Sequence, residues 1–579
     1  MRFSPTTWMT GYRAKFHPNH WDLFALLFVL AVITFFAWNA KQMATPYQLG
    51  EVMPVSLDPS MLPFYAGRTV VRMLIALCFS LLFTFIFGTF AAKSRRAERL
   101  IVPMMDILQS VPILGFLSVT IALFIALFPG SLLGPECAAI FAIFTSQAWN
   151  MVFVFYQTVR AVPSDLQETA RMFHLSAWQR FWRIEVPHAM PGLLWNAMAS
   201  MSAGWFFVVA AEAITVSNQQ ILLPGIGSFI AVAIEAADMK AIGYAVLTMF
   251  VVILIYDQLL FRPLVAWAEK FKLEYHTSEK PIESWVVNLF RRTRLMRDVG
   301  SQLTHLFDAF VNIKIFHSQD HFSSVPVSKQ RERITGILLD VLTLLLGIFA
   351  FIFLAYYILH NISLGEVKQV LWLGLLTASR IFILIILCSL VWVPIGIWIG
   401  LRPNVAQVAQ GIAQVFAAFP ANLLYPFIVM LIVNYHLNPN IWLSPLMILG
   451  SQWYILFNVI AGASVIPKEF LRVADNLGVV GWLRSRRVLL PGIFPYYVTG
   501  AITAAGGAWN ASIVAEVVSW GNEKLVAKGL GAYITKYTMV GDFAHIVLGI
   551  GMMCLLVIVI NRLVWRPLYL YAESRFLLE

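Results

Sequence analysis

The chain is predicted to be an all-α integral membrane protein of twelve transmembrane helices, arranged as two tandem six-helix domains. Three observations predict this. Hydrophobic residues make up 59% of the 579 residues and charged ones only 12%, against roughly 45–50% and about 25% in a soluble domain. Nearly uncharged stretches of about 18 residues or more recur, each long enough to cross roughly 30 Å of hydrocarbon as a helix. The two halves also repeat: the residues from Pro163 align without a gap on those from Pro467, a constant offset of 304. A repeat of that length is too long for a solenoid unit and reads as a fused pair of domains.

The register is dense. Trp178 falls on Trp482, Arg183 on Arg487, Trp205 on Trp509, Glu212 on Glu516, and Gly225-x-Gly227 on Gly529-x-Gly531. Upstream it drifts slightly, with Arg72/Arg380 and Pro112/Pro420 at an offset of 308. In the first half the membrane stretches are expected near 22–40, 71–92, 101–129, 134–158, 193–214 and 241–261. The second half gives 334–359, 379–401, 407–434, 440–462, 497–518 and 543–565. The implied domains are 1–262 and 334–579, joined by a linker at 263–333.

Arg2, Arg13 and Lys15 precede the first apolar run, which is longer than a signal-peptide core and lacks a small-x-small cleavage site; it reads as a retained helix. The segment 41–69 that follows is rich in turn residues (Pro46, Pro54, Pro59, Pro63) and has no equal in the second half. Basic residues cluster in alternate loops: Lys93, Arg95, Arg96 and Arg99 in one, Arg160, Arg171, Arg180 and Arg183 in another, and Lys468, Arg472, Arg484, Arg486 and Arg487 in its counterpart. The positive-inside rule then puts both termini and the linker in the cytoplasm. This asymmetry accounts for the net charge of +11 without a nucleic-acid partner. Cys78, Cys137, Cys388 and Cys554 show no CxxC spacing and read as buried inert thiols. In the linker, Val286, Leu289, Phe290, Val299, Leu303, Leu306, Phe307 and Phe310 recur at helical spacing, which predicts one or two amphipathic helices at the membrane surface.

Between the fourth and fifth stretches of each half lies a polar cytoplasmic loop. The first runs from Pro163 through Glu168, Ala170 and His174 to Pro187; the second runs from Pro467 through Arg472, Ala474 and Gly478 to Pro491. Each reads as a short helix, a break, a second short helix and a proline opening the next span. Such a pair is a rigid knob that another protein can grip.

This pattern resembles the Glu-Ala-Ala, Gly, Ile-x-Leu-Pro loop of the membrane subunits of type I ABC importers. The resemblance covers both halves, and the Trp205–Glu212 and Trp509–Glu516 stretches with their Gly-x-Gly are most similar to the branch importing nitrate, taurine, alkanesulfonates and similar small anions. It implies two type I permease domains in the bacterial inner membrane. It also implies docking of two ATPase subunits on Glu168, Ala170, His174, Pro187, Arg472, Ala474, Gly478 and Pro491, and delivery of solute by an extracytoplasmic binding protein. The family pattern has Gly where His174 stands and Glu where Arg472 stands, so unequal docking is expected.

No GxxxxGK[ST] loop occurs, so ATP and Mg are expected on the partner ATPase, with no cofactor in this chain. Neither a zinc-spaced cluster nor a catalytic constellation is apparent, so no enzymatic activity is expected here. Polar residues in apolar spans are the path candidates. Trp205, Trp509, Asn510 and Ser512 are expected either to line the path or to pack. Glu212 and Glu516 are expected either as gate or partner contacts or as helix-end carboxylates held by local hydrogen bonds. Arg72 and Arg380, at outer helix ends, read as snorkelling to the interface or as a ring attracting anions. The function that follows is the channel subunit of an ATP-driven importer of a small anion. The alternative is a secondary transporter of six plus six helices driven by an ion gradient, which calls for mid-membrane carboxylates.

Overall fold

The computed structural model describes residues 20–46, 54–110, 112–216, 219–271, 284–313 and 329–576. In the first half, α1 (His20–Lys41) precedes α2 (Leu62–Phe83), which continues as helix to Lys93. Next come α3 (Arg95–Ser110) and α4 (Ile113–Leu127), separated where Pro112 adopts an extended conformation, and then α5 (Leu133–Arg160). The loop helices α6 (Ser164–Met172) and α7 (Ala177–Arg180) lead through a π-turn into α8 (Val186–Glu212). A two-stranded antiparallel hairpin, β1 (Ala213–Val216) and β2 (Gln219–Leu222), pairs Ala213 with Leu222. The half closes with α9 (Ile226–Glu235), α10 (Met239–Tyr256) and α11 (Arg262–Ala268).

The linker contributes α12 (Trp285–Arg292) and α13 (Arg294–Val311), over the positions expected to be amphipathic; its stretches 272–283 and 314–328 lie outside the described residues. The second half repeats the plan. It comprises α14 (Lys329–Asn361), α15 (Leu364–Gly400), α16 (Pro403–Ala418), α17 (Tyr425–Asn434), α18 (Trp453–Val465), α19 (Lys468–Asn476), α20 (Gly481–Arg484) and α21 (Leu490–Ala515). After these come the hairpin of β3 (Val517–Trp520) and β4 (Glu523–Val526), then α22 (Leu530–Val540), α23 (Phe543–Ile560) and α24 (Arg566–Phe576).

Two expectations need correction. The fold is mostly helical but not all-α, because the spans expected to reach 214 and 518 stop as helices at Glu212 and Ala515 and turn into hairpins. The strand sequences Ala-Ile-Thr-Val and Val-Val-Ser-Trp are β-branched, which favours strand; their apolarity had merged them with the preceding helix. The four thiols are free, and Cys78 is exposed beside the exposed Phe79 rather than buried.

Among the described residues, seven helices are long and apolar enough to cross a membrane, or up to nine if each of two bent pairs is one span. One bent pair, α16 with the helix Ala421–Asn434, turns by 77° next to Pro420, which lacks a backbone N–H and cannot continue the ladder. The expected stretches at 22–40, 101–129 and 334–359 supply the shorter apolar helices Leu26–Lys41, Ile113–Leu127 and Gly347–Asn361.

By internal contacts the chain divides into two compact units that cut across the repeat. One comprises Met1–Trp38, Pro163–Pro191 and Asp257–Asp320; the other comprises Asn39–Val162, Gly192–Tyr256 and His321–Glu579. Within the second, larger unit the two halves meet directly. Asn510 Oδ1 accepts from Ile113 N at 2.8 Å, Gln414 Nε2 donates to Ser202 Oγ at 3.1 Å, and Asn422 Nδ2 donates to Phe206 O at 3.3 Å.

Candidate functional site

Three features of the larger unit and one of the smaller carry functional geometry. The first is a buried charge network in the first half. Arg68 and Arg72 stand one turn apart on α2, so they share a face. Arg72 Nε and Nη2 reach Glu136 of α5 at 2.6 and 2.7 Å, its Nη1 reaches Glu212 at 2.6 Å, and Arg68 Nη2 reaches Glu136 at 2.5 Å. Thr69 Oγ1 donates to Glu212 at 2.6 Å and Gly227 N donates at 2.7 Å. All four charged side chains are sealed from solvent. Arg72 therefore does not snorkel to an interface. It is fully coordinated inside the protein, which is what a buried guanidinium requires.

The second half keeps only part of this. Thr377 Oγ1 donates to Glu516 at 2.8 Å, Ala532 N donates at 2.9 Å, and Arg380 Nη1 lies 3.4 Å away while bonding Lys528 O at 2.9 Å. Leu376 stands at the position of Arg68, so the second pair of charges is missing. In both halves the Gly-x-Gly explains itself by proximity: a Cβ on Gly225 would lie 2.3 Å from Glu212 Cδ, and one on Gly529 would lie 2.0 Å from Glu516 Oε1. Each carboxylate occupies the space that a side chain would fill.

The second feature is a cavity of about 360 Å³ lined by equivalent positions from the two halves. Leu114 and Asn422, Leu117 and Tyr425, Val209 and Ile513, Ala210 and Val514, Ala213 and Val517, and Ile214 and Val518 all contribute. Of the path candidates, Trp205 and Trp509 are buried, with the Trp205 ring edge-on to Tyr256 at 5.4 Å. Ser512 donates to Trp509 O at 2.7 Å, and Asn510 serves the contact with Ile113. None of the four lines this cavity, which lies one helical turn beyond the tryptophans, at Val209 and Ile513. Glu212 and Glu516 are likewise inside the packing rather than on the wall.

The third feature is the second loop between spans, Pro467 to Pro491, and its counterpart belongs to the smaller unit. In each loop one alanine is buried, Ala170 at 2% and Ala474 at 4% exposure, whereas Glu168 and Arg472 are exposed. Both first helices end alike. Leu175 N returns to Ala170 O at 3.0 Å and Val479 N to Ala474 O at 2.8 Å, around a residue in the left-handed region. That residue is His174 with φ 50° in the first loop and Gly478 with φ 66° in the second. This is the termination glycine favours, so the histidine adopts it against its own steric preference. A Ser176–Gln179 capping box starts α7, whereas in the second loop Arg484 Nη1 binds Asp475 Oδ1 at 2.7 Å. Pro187 and Pro491 stand just after the π-turns Phe181–Glu185 and Ser485–Leu489 that lead into α8 and α21.

In the smaller unit the linker helix α13 lies on the first loop. Trp178 Nε1 donates to Phe310 O at 3.1 Å, and Gln179 Nε2 and Arg183 Nη2 both donate to Asn312 Oδ1 at 3.2 Å. The Phe310 ring stands 5.1 Å from Trp178 and 5.6 Å from Trp182.

Arg68, Thr69, Glu136 and Thr377 escape a reading of the sequence alone. A usable signal is two arginines four apart in an otherwise apolar helix. Such a pair demands carboxylates from elsewhere in the membrane, and Glu136 is the carboxylate of the 134–158 stretch.

Repeated helical halves, a cavity built from equivalent positions and paired loop helices define a polytopic membrane permease of duplicated design. Residues 84–260 and 392–566 each match the family described as binding-protein-dependent transport system inner membrane component, and the chain belongs to that family, carrying its domain twice. It is similar to the bicarbonate transport system permease protein CmpB of Synechocystis sp., 28% identical over 157 residues, 27% of this chain and 55% of that protein. It is also similar to the glycine betaine/proline betaine transport system permease protein ProW of Escherichia coli, 29% identical over 160 residues, 28% of this chain and 43% of that protein. The taurine transport system permease protein TauC of Escherichia coli is 26% identical over 172 residues, 29% of this chain and 58% of that protein. The chain thus spans about half the length of these curated relatives.

Proposed function

We propose that this chain is the membrane channel of an ATP-driven importer, moving a small anionic solute of the nitrate, sulfonate, taurine or bicarbonate kind across a bacterial inner membrane. The observation that carries this reading is the shared cavity: two family domains in one polypeptide supply equivalent residues to one wall. One chain can then provide a whole pathway of twelve spans, with both termini and the linker cytoplasmic.

Two ATPase subunits dock on the cytoplasmic loops, gripping around Ala170 and Ala474, and bind the ATP and Mg. The first short helix of each loop, α6 and α19, suits force transmission because it is locked at its end by a 6→1 backbone bond. Closure of the ATPase dimer draws the loops together and opens the path outward, where an extracytoplasmic binding protein delivers solute; this is alternating access between two packed arrangements. An ion-gradient transporter is disfavoured because Glu136, Glu212 and Glu516 are all committed to structural partners.

The test is co-purification with candidate ATPase subunits and uptake in proteoliposomes. ATP-dependent uptake, with no hydrolysis by the isolated chain, is expected. Gradient-driven uptake without an ATPase, or hydrolysis by the chain alone, would falsify the reading.

A further inference from the structure

We infer that the linker helix α13 forms part of the ATPase docking surface of the first half, its uncovered apolar stripe seating the same ATPase subunit that grips the Pro163–Pro187 loop. This rests on the importer reading above and names a further contact for its partner.

The stripe comes from spacing. Val299, Leu303, Leu306, Phe307 and Phe310 recur at intervals of three or four residues, so they share one side of α13. Its C-terminal end is engaged by the loop: the Phe307 ring stands 5.9 Å from Trp182, and Phe310 meets both Trp178 and Trp182. Its other end is uncovered, with Val299, Leu303 and Leu306 at 41%, 59% and 67% exposure. At 1.5 Å per residue, Val299 to Leu306 is an apolar ledge of about 10 Å running on from the loop.

The equivalent loop shows what this ledge replaces. In the second half Val473, Val480 and Leu483 are exposed apolar residues, whereas the first half has Thr169, Ser176 and Gln179 at those positions. The first loop has thus lost three apolar side chains, and α13 carries three uncovered ones beside it. Buried apolar area is the main drive of most protein association. Without the ledge, the two docking sites would differ in that dominant contribution.

The inner leaflet is the competing occupant. A helix lying on anionic lipid carries lysines and arginines along its polar face. From Asp298 to Ile313 the chain has Asp298 and Asp308 and no lysine or arginine; Arg291, Arg292, Arg294 and Arg297 all precede the stripe. This acidic polar face, and continuity with the loop, favour a protein over a membrane.

The test uses the full chain in nanodiscs of phosphatidylethanolamine and phosphatidylglycerol, with the ATPase subunit that co-purifies with it. Photo-reactive benzoylphenylalanine replacing Leu303 or Leu306 should cross-link to that subunit; the same group replacing Ser301, on the other side of α13, should not. Leu303→Asp combined with Leu306→Asp should weaken binding of one of the two ATPase subunits about tenfold, the scale of one apolar side chain losing its burial. The isolated double variant should unfold at the temperature of the unaltered chain. Ser301→Asp should change neither binding constant. Cross-linking to lipid, no cross-linking to the ATPase, or unchanged binding of both subunits by the double variant overturns the inference while the importer reading stands. An unaltered chain that binds no ATPase overturns the importer reading itself.

Discussion

Arg72 and Glu212 meet at 2.6 Å with neither side chain exposed, while their equivalents Arg380 and Glu516 stand 3.4 Å apart with Arg380 at 10% exposure. The repeat thus conserves the pair's position but not its tightness. The first half adds Arg68 and Glu136, giving two charges of each sign in one sealed network. Arg72 is held by carboxylates from two other elements, and Arg68 by Glu136 and the Asn39 carbonyl. The second half relies on Thr377, a backbone N–H and a partly exposed arginine.

Removing one partner of a sealed network leaves an uncompensated buried charge, a loss of about 3–5 kcal/mol. Glu136→Gln should therefore lower the melting temperature of the detergent-solubilised chain markedly. Arg380→Gln should lower it less, because the arginine is already partly exposed and Glu516 keeps its Thr377 and Ala532 bonds. An equal loss from both would mean that the two halves are energetically equivalent despite their geometry.

The glycines beneath the carboxylates give a sharper contrast. A Cβ at Gly225 would fall 2.3 Å from Glu212 Cδ, whereas nothing lies within 4 Å of one at Gly243. Gly225→Ala must push Glu212 out of its bonds with Arg72 and Gly227 N, combining overpacking of roughly 1–3 kcal/mol with a broken ion pair. Yield of folded protein should collapse for Gly225→Ala and stay normal for Gly243→Ala. Fluorescence size-exclusion profiles of the two variants decide it.

What could be read from the sequence followed from local rules. The proline, alanine and glycine spacing of the loops maps onto α6, α7, α19 and α20 because caps and breaks are set by a few neighbouring residues. The duplication is visible for the same reason. The pairing of Arg72 with Glu136 was hidden because the partner sits on another helix, and apolar periodicity does not tell which face of a membrane helix looks inward when both faces are greasy. Lipid-facing and core-facing residues look alike in composition, so Trp205 and Val209 could not be ranked as cavity lining. The four-residue strands after Glu212 and Ala515 were too short to interrupt an apolar run.

His174 adopts φ 50° where the second loop uses Gly478 at φ 66°. A left-handed L-residue costs roughly 1–2 kcal/mol, although glycine regains part of that cost through unfolded-chain entropy. His174→Gly should leave the first loop at least as stable and bring it toward the second in its response to ATPase docking. Gly478→Val should destabilise the second loop, because a β-branched residue tolerates that region poorly. Protease protection of each loop, measured with and without ATPase, reads both effects. A more stable Gly478→Val loop would refute the assignment of strain to this turn.

Among the described residues, the linker helix α13 gives the first loop a support that the second lacks. Phe310 seats its ring against Trp178 and Trp182, each such aromatic pair contributing roughly 0.5–1.5 kcal/mol. Asn312 adds hydrogen bonds from Gln179 and Arg183. In the second loop Trp482 is 74% exposed, and Arg486 replaces the second tryptophan. Phe310→Ala should therefore speed amide exchange across residues 164–185 by lowering the free energy of local opening. In the assembled importer it should also reduce solute moved per ATP while the ATPase remains bound. Phe310→Trp, which restores an aromatic face, should recover most of the coupling. Trp482→Ala should leave exchange in its own loop nearly unchanged, because that side chain has little packing to lose. If Phe310→Ala leaves exchange and coupling intact, or if Trp482→Ala loosens its loop by as much, α13 is a passive tether and the two loops are braced alike.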